Sequence, residues 1–365
     1  MEKEGWVKKK LGEVCHIQNG FAFKSNLFTE EGYPILRISN IQKGKITFDN
    51  IAYFKDGSYS VDLSKYIVYP NDILMALSGA TTGKVGINTS NQLLYLNQRV
   101  ALFKEKEEIN HKYLFYYLSN KGEEALRNAG GAAQPNLSTE TLKSFEITLS
   151  PLPEQQQIVS ELDCLQGIID KKKEQLQELD KLAQSIFYTM FGDPVENEKE
   201  WNSKTFNSCF KMKSGDALSA RNIIEGEFPV YGGNGIVGYH NKSNLSGVNI
   251  IIGRVGALCG NVRFVEGDLF VTDNAFILNP QIEFDNTYLT QLLKLLNLRR
   301  YARESMQPVI SNSGLKNISI ILPPLPLQQE FADKITAIEQ QKNRIQQSLQ
   351  DTETLFQSRM DYYFG

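Results

Sequence analysis

Residues 151–192 read PLPEQQQIVSELDCLQGIIDKKKEQLQELDKLAQSIFYTMFG, and residues 324–365 read PLPLQQEFADKITAIEQQKNRIQQSLQDTETLFQSRMDYYFG. A shift of 173 aligns all 42 positions without a gap, and 12 of them are identical. The identities gather at the ends: PLP and QQ at the start, then LQ, LxQS and FG towards the close. A repeat of this kind decides the architecture and has to be read before any fold is named.

Each copy has the pattern of a long helix. Apolar residues in the first recur at alternating spacings of four and three: Ile158, Leu162, Leu165, Ile169, Leu176, Leu179, Ala183, Ile186 and Met190, with Lys172 the one charge on that seam. The second gives Phe331, Ile335, Ile338, Ile345, Leu349, Phe356 and Tyr363, interrupted by Lys342, Thr352 and Arg359. A 3.5-residue spacing held for about five heptads predicts a coiled coil rather than two unrelated amphipathic helices. The prolines of PLP stop any helix running in from upstream, and the glycine of FG suits a left-handed cap.

The flanking segments repeat as well, more loosely. WVKKKLGEVCHIQNG at 6–20 matches WNSKTFNSCFKMKSG at 201–215, pairing Trp6 with Trp201 and bringing Cys15 within one position of Cys209. GATTGKV at 79–85 matches GALCGNV at 256–262; NHKYLFYYL matches DNTYLTQLL; Gln134-Pro135 matches Gln307-Pro308; LKSFEITLSPLP matches LKNISIILPPLP. Short apolar runs between turn signals (YPILRISNI, YIVYPNDILMAL, RVALF) make these segments strand-rich and mixed. The expected organisation is therefore α+β: a domain over 1–150, a long helix over 151–192, a second domain over 193–323 entered through the polar connector 193–200, and a second long helix over 324–365. If the helices pair antiparallel, the molecule has an approximate two-fold axis, and each helix runs roughly 55 Å at 1.5 Å per residue.

The formal charge of −3, the 41% hydrophobic content and the 22% charged content are those of an ordinary soluble protein. Residues 1–150 carry 18 basic and 16 acidic side chains, 193–323 carry 13 of each, and the two helices are acidic. Composition alone gives no strongly basic footprint. The four cysteines lie far apart without a CxxC pair, which fits a reducing compartment and argues against zinc. No apolar signal-peptide core and no run of 18 apolar residues is present, so the expected location is the cytoplasm, with no membrane partner.

Apparent catalytic motifs fail on spacing. SGATTGKVG at 78–86 puts three residues, not four, before its Gly-Lys pair, and Val85 stands where a P-loop needs a hydroxyl. GNGIVG at 233–238 satisfies GxGxxG but is followed by YHNKSN rather than a helix, without the acidic residue a dinucleotide site needs. The three histidines are isolated, and no nucleophile elbow, methyltransferase tetrapeptide or nuclease cluster is evident. A non-catalytic chain is expected, with no catalytic and no metal-binding residue.

Variable domain, PLPxQQ-initiated heptad helix ending in FG, second variable domain, second such helix: this resembles the specificity subunit of type I restriction-modification enzymes over essentially the whole chain. Also carrying the resemblance are YGGNGIVGY at 231–239 and the Gln-Pro and LK entries before each PLP. The resemblance implies two target-recognition domains, each reading half of a bipartite gapped site in double-stranded DNA. It also implies helices that set the gap and dock two modification subunits, which restriction subunits join. S-adenosylmethionine, ATP and magnesium are then expected only in those partner subunits. Candidate DNA contacts are polar and basic loop residues: Arg37, Asn40, Lys43, Lys45, Lys84 and Arg99 in the first domain, and Arg221, His240, Lys242, Arg254 and Arg263 in the second. Two rivals read the chain as a coiled-coil adaptor that binds proteins and no nucleic acid, or as a degenerate methyltransferase-like DNA-binding subunit acting alone.

Overall fold

The computed structural model describes residues 5–128, 137–303 and 307–365. The chain forms two compact units, one of Met1–Lys171 with Leu349–Gly365, the other of Lys172–Ser348. The match between Gln134-Pro135 and Gln307-Pro308 rests in its first half on residues outside the described ones.

In the first unit the chain alternates short strands, turns and single-turn helices until helix α1 (His111–Asn128). A five-stranded sheet has the order Cys15–Asn19, Val100–Glu105, Ile73–Ala76, Val85–Ile87, Gly44–Lys45. A four-stranded sheet has the order Ala52–Phe54, Tyr33–Leu36, Leu94–Leu96, Ile67–Val68, with Tyr33–Leu36 and Leu94–Leu96 parallel. Side chains alternate across a strand, so the central sheet feeds two cores. Ile73, Met75, Ala101 and Phe103 join Tyr113 and Tyr117 of α1, while Leu74, Ala76, Val100 and Leu102 join Leu36, Val68 and Leu94 of the smaller sheet. Both faces being covered explains why ILMA is buried at every position.

The second unit repeats this plan. Its larger sheet runs Phe210–Ser214, Ala275–Pro280, Asn249–Gly253, Val262–Val265, and its smaller sheet runs Gly235–His240, Phe228–Gly232, Phe270–Val271 with the last two parallel. The faces divide in the same way, with Ile250, Ile252, Phe276 and Leu278 in one core and Ile251, Ala275 and Ile277 in the other. The chain is α+β and internally duplicated, strand for strand, apart from short extra strands in the first unit.

Two 40-residue helices, α2 (Leu152–Phe191) and α4 (Leu325–Phe364), complete the units; α3 (Asn286–Leu295) is the second-unit counterpart of α1. Every residue of the heptad seams is buried or half-buried. In the second unit Lys172 Nζ donates to the Ser348 carbonyl and hydroxyl, each at 2.8 Å, and Lys342 Nζ lies 2.8 Å from Asp180. One number falls as the other rises, so the helices run antiparallel. In the first unit Arg359 pairs with Glu161, which also accepts from Tyr363 Oη at 2.7 Å. The Arg359 guanidinium holds the Glu161 carboxyl below the usual carboxylate range. The charges that interrupt the seam are thus partnered, and polar groups at such positions fix register at some cost in stability.

A second stripe was not legible from heptads. Val159, Phe187, Phe191, Met360 and Phe364 are buried off the seam, facing the domains. In the second unit Phe187, Phe191 and Phe331 surround Tyr288 of α3; in the first, Met360, Phe364 and Ile158 share a core with Tyr113 of α1. The end of one helix and the start of the other therefore meet over the same tyrosine in each unit, with Phe191 and Phe364 the identical pair among these matched positions.

The glutamine of PLPxQ has an equally specific role. Gln155, 0% exposed, donates from Nε2 to the carbonyls of Ser150 (2.8 Å) and Glu108 (3.1 Å) and accepts from the Asn110 amide (2.8 Å). Gln328 donates to the Pro323 carbonyl (2.8 Å) and accepts from the Asp285 amide (3.0 Å). Asn110 and Asp285 in turn cap α1 and α3, so one glutamine ties each long helix to the cap of the short one. Gln155→Leu strands the Asn110 amide and two carbonyls. An unmade buried hydrogen bond costs about 1–3 kcal/mol, and that loss is the expected result in denaturant unfolding; Gln177→Leu, at an exposed repeat identity, should change little. Equal effects would refute the tie.

Candidate nucleic-acid interface

The basic candidates of the first unit fall into three places. Gly44–Lys45 adds to the sheet edge beside Val85–Ile87, which brings Lys43, Lys45 and Lys84 to one edge. Lys43 and Lys45 are exposed, and Lys84 Nζ reaches Gln42 Oε1 at 3.4 Å. Arg37 is braced: Nη2 donates to the Asn50 carbonyl at 2.6 Å and the guanidinium lies 5.7 Å from the Phe28 ring centre. Arg99 stands apart, exposed on the turn Asn97–Val100.

Two expected contacts are corrected. Asn40 is 0% exposed; its Oδ1 accepts from the Arg37 amide and its Nδ2 donates to the Asp49 carbonyl, so it shapes the loop beneath the surface. His240 is 6% exposed, with Nδ1 3.0 Å from the Ile224 amide nitrogen and the ring edge-on to Phe270. Burial takes both side chains out of reach of a base edge. Of the others in the second unit, Arg221 and Lys242 are exposed. Arg263 Nη2 donates to the Asn234 carbonyl at 3.1 Å, while Arg254 lies over the Phe276 ring at 5.3 Å with Nη1 3.5 Å from the Asp273 carbonyl.

The glycine-rich stretches serve close packing. Gly235 holds φ +114 in the hairpin joining Phe228–Gly232 to Gly235–His240, and a Cβ there would meet the Arg263 guanidinium at 3.0 Å. GNGIVG is therefore a hairpin with no helix after it. Gly83 packs on the backbone of Gly122 in α1, where a Cβ would lie 2.5 Å from the carbonyl oxygen; its match Gly260 packs likewise on Leu298 and Arg299. Among the described residues no group of His, Cys, Asp and Glu gathers to hold a metal ion, and no helix is long and apolar enough to cross a membrane.

Arg99 and Arg254 occupy hydrogen-bonded neighbouring positions of the duplicated fold. The Leu77 amide donates to the Arg99 carbonyl and the Arg254 amide to the Asn274 carbonyl, both at 2.9 Å. Arg254 is thus the counterpart of Leu77, and Asn274 that of Arg99. In the first unit this location is an open cleft of about 540 Å³, bordered by Asn19, Ser78, Gln98, Arg99 and Ser138. Sequence reading missed Asn19, Gln98, Asp273 and Asn274 here. Aligning YLNQRVALF with FVTDNAFIL would have located three of them.

The family model of the type I restriction modification DNA specificity domain matches residues 3–181 and again 198–352. The chain belongs to this family. It carries two specificity domains in tandem. The EcoprrI specificity subunit of Escherichia coli, a type I restriction enzyme component, is 27% identical over 343 residues, covering 87% of this chain and 84% of that one. The putative MjaX specificity subunit of Methanocaldococcus jannaschii is 26% identical over 373 residues, covering 92% and 87%. Among solved structures, the crystal structure of the type I restriction-modification S subunit from M. genitalium superposes with a TM-score of 0.58 at 18% identity, covering 100% of this chain and 97% of that one. A chain from a study of complex assembly and conformational transition of the type I system gives 0.58 at 16%, covering 99% and 98%. The specificity domains thus share a fold with these proteins while most of their residues differ.

Proposed function

We propose that this chain is the DNA-reading subunit of a type I restriction-modification assembly in the cytoplasm, each unit recognising one half of a bipartite, gapped target in double-stranded DNA. The long helices set the gap and dock two modification subunits. Those subunits bring S-adenosylmethionine for adenine methylation, and restriction subunits bring ATP-driven cleavage with magnesium; this chain contributes no catalytic group. The observation that carries the reading is a domain present twice with its frame kept and its surface polar residues changed, as two readers of different sequences require. Near-neutral domains bind phosphate weakly by themselves, so the partners supply much of the backbone grip.

The test is an exchange of residues 201–323 for the matching segment of a relative, in the full chain co-expressed with its modification subunits. One half of the methylated sequence should change while the other half stays. Change in both halves, or in neither, contradicts modular reading. Methylation by this chain alone contradicts its non-catalytic role.

A further inference from the structure

The turn that borders the first-unit cleft and its second-unit counterpart are the same piece of structure with different side chains. In the first unit the turn Asn97–Val100 is closed by a bond from the Val100 amide to the Asn97 carbonyl, and Asn97 Oδ1 accepts from the Arg99 amide at 3.3 Å. In the second, the turn Thr272–Ala275 is closed by the Ala275 amide on the Thr272 carbonyl, and Thr272 Oγ1 accepts from the Asn274 amide at 3.4 Å. The side chain at the first position holds the turn in both. Its two central residues are exposed in both: Gln98 and Arg99, against Asp273 and Asn274.

The walls opposite the turns match too. The Leu137 amide donates to the Leu77 carbonyl and the Ile310 amide to the Arg254 carbonyl, each at 2.8 Å. The next residue, Ser138 or Ser311, caps the short helix that follows. What differs is the polar lining. Asn19 pairs with Ala101 where Ser214 pairs with Phe276; Gln98 becomes Asp273; Arg99 becomes Asn274; Leu77 becomes Arg254. The shape-setting hydrogen bonds are retained, while tip residues are exchanged for others with a different donor and acceptor pattern.

On the reading that these domains bind DNA, we propose that this turn is the specificity-determining element of each domain, with Gln98 and Arg99 reading base edges of one half-site and Asp273 and Asn274 those of the other. The chemistry suits bases better than phosphates. Glutamine and asparagine match the N6/N7 edge of adenine, arginine the O6/N7 edge of guanine, and a carboxylate accepts from cytosine N4. A carboxylate at a turn tip is repelled by the DNA backbone, so Asp273 is placed for a base edge or for nothing. Arg254, reaching the Asp273 carbonyl from behind, is a positioning residue for that turn.

The experiment exchanges the tips in the full chain, assembled with its modification subunits: Gln98→Asp with Arg99→Asn, and separately Asp273→Gln with Asn274→Arg. Methylated sites are sequenced, and the assembled complexes select duplexes from a randomised pool. Each double variant should alter one or two base positions in a single half-site, leaving the gap and the other half unchanged. The variants should favour new bases there by roughly 5- to 150-fold, the range a bidentate contact provides. Milder Arg99→Gln and Asn274→Ala variants, at exposed turn positions that assemble regardless, should relax the same positions. Unchanged selected sequences in the double or single variants, or changes in both halves from one tip, overturn the assignment. Wild-type complex selecting no sequence at all would instead overturn the DNA-reading function, a distinct failure.

Discussion

Replacing Phe331 with alanine is expected to destabilise the second unit by about 3–5 kcal/mol, the range for deleting a buried aromatic side chain. Phe331 is fully buried, with ring centres 5.6 Å from Phe187, 5.5 Å from Phe191 and 6.4 Å from Tyr288. Three elements meet on it: the start of α4, the end of α2 and the N-terminal turn of α3. Tyr288 adds a bond from its hydroxyl to the Ile321 carbonyl, and burial pushes its ionisation far upward, so the phenol stays neutral. These aromatic neighbours are rigid rings that cannot collapse into the space a benzyl group leaves.

The loss should appear in denaturant unfolding and, more locally, as faster amide exchange through Asn249–Gly253 and α3, with the strands of the first unit less affected. Leu355→Ala provides the contrast, since Leu355 is 49% exposed and its truncation should cost little. A loss below about 1 kcal/mol for Phe331→Ala would mean that the cluster relaxes and that the helix ends are not fastened there. The first unit has Ile158, Met360 and Phe364 around Tyr113 at the matched positions, so its fastening is less aromatic but lies at the same place in the repeat.

The parts of this architecture that sequence discloses are those with a period. Seven-residue spacing exposed the seam, and an ungapped 42-residue repeat exposed the duplication. The second stripe escaped because Phe187, Phe191, Met360 and Phe364 obey no heptad; they answer to α1 and α3, which a one-dimensional pattern does not place. Gln155 and Gln328 read as ordinary polar helix residues, yet each is buried because the carbonyls it satisfies come from the residue before the PLP proline and, for Gln155, from the loop before α1. The contact candidates were least legible. Asn40 and His240 read in the sequence as polar loop residues like the rest, and only burial separates a side chain that builds the framework from one presented at the surface. Gln98, Asp273 and Asn274, proposed above to read bases, are inconspicuous for the opposite reason: a tight turn explains its own polar residues.

The periodic part of the chain also carries the sharpest consequence of the proposed function. Inserting seven residues into each long helix near its midpoint, around 171 in α2 and 349 in α4, should lengthen the gap between half-sites. A heptad keeps every apolar seam residue facing its partner, and the ion pairs Glu161–Arg359 and Asp180–Lys342 lie on either side of the insertion. Each helix gains roughly 10 Å at 1.5 Å per residue. With base pairs about 3.4 Å apart, the preferred gap should grow by up to about three base pairs. Three base pairs also turn the duplex by more than a quarter of its helical repeat, so affinity should fall even as the gap shifts, and the gap is the quantity to read. Inserting four residues instead introduces a stutter that rotates the seam out of register; it should lower the unfolding midpoint and abolish a defined gap. Sequencing methylated DNA from cells carrying each lengthened chain with its modification subunits measures this directly. Retained methylation at the original gap after a heptad insertion would mean that spacing is set by the partner subunits. The seam charges would then serve helix pairing alone.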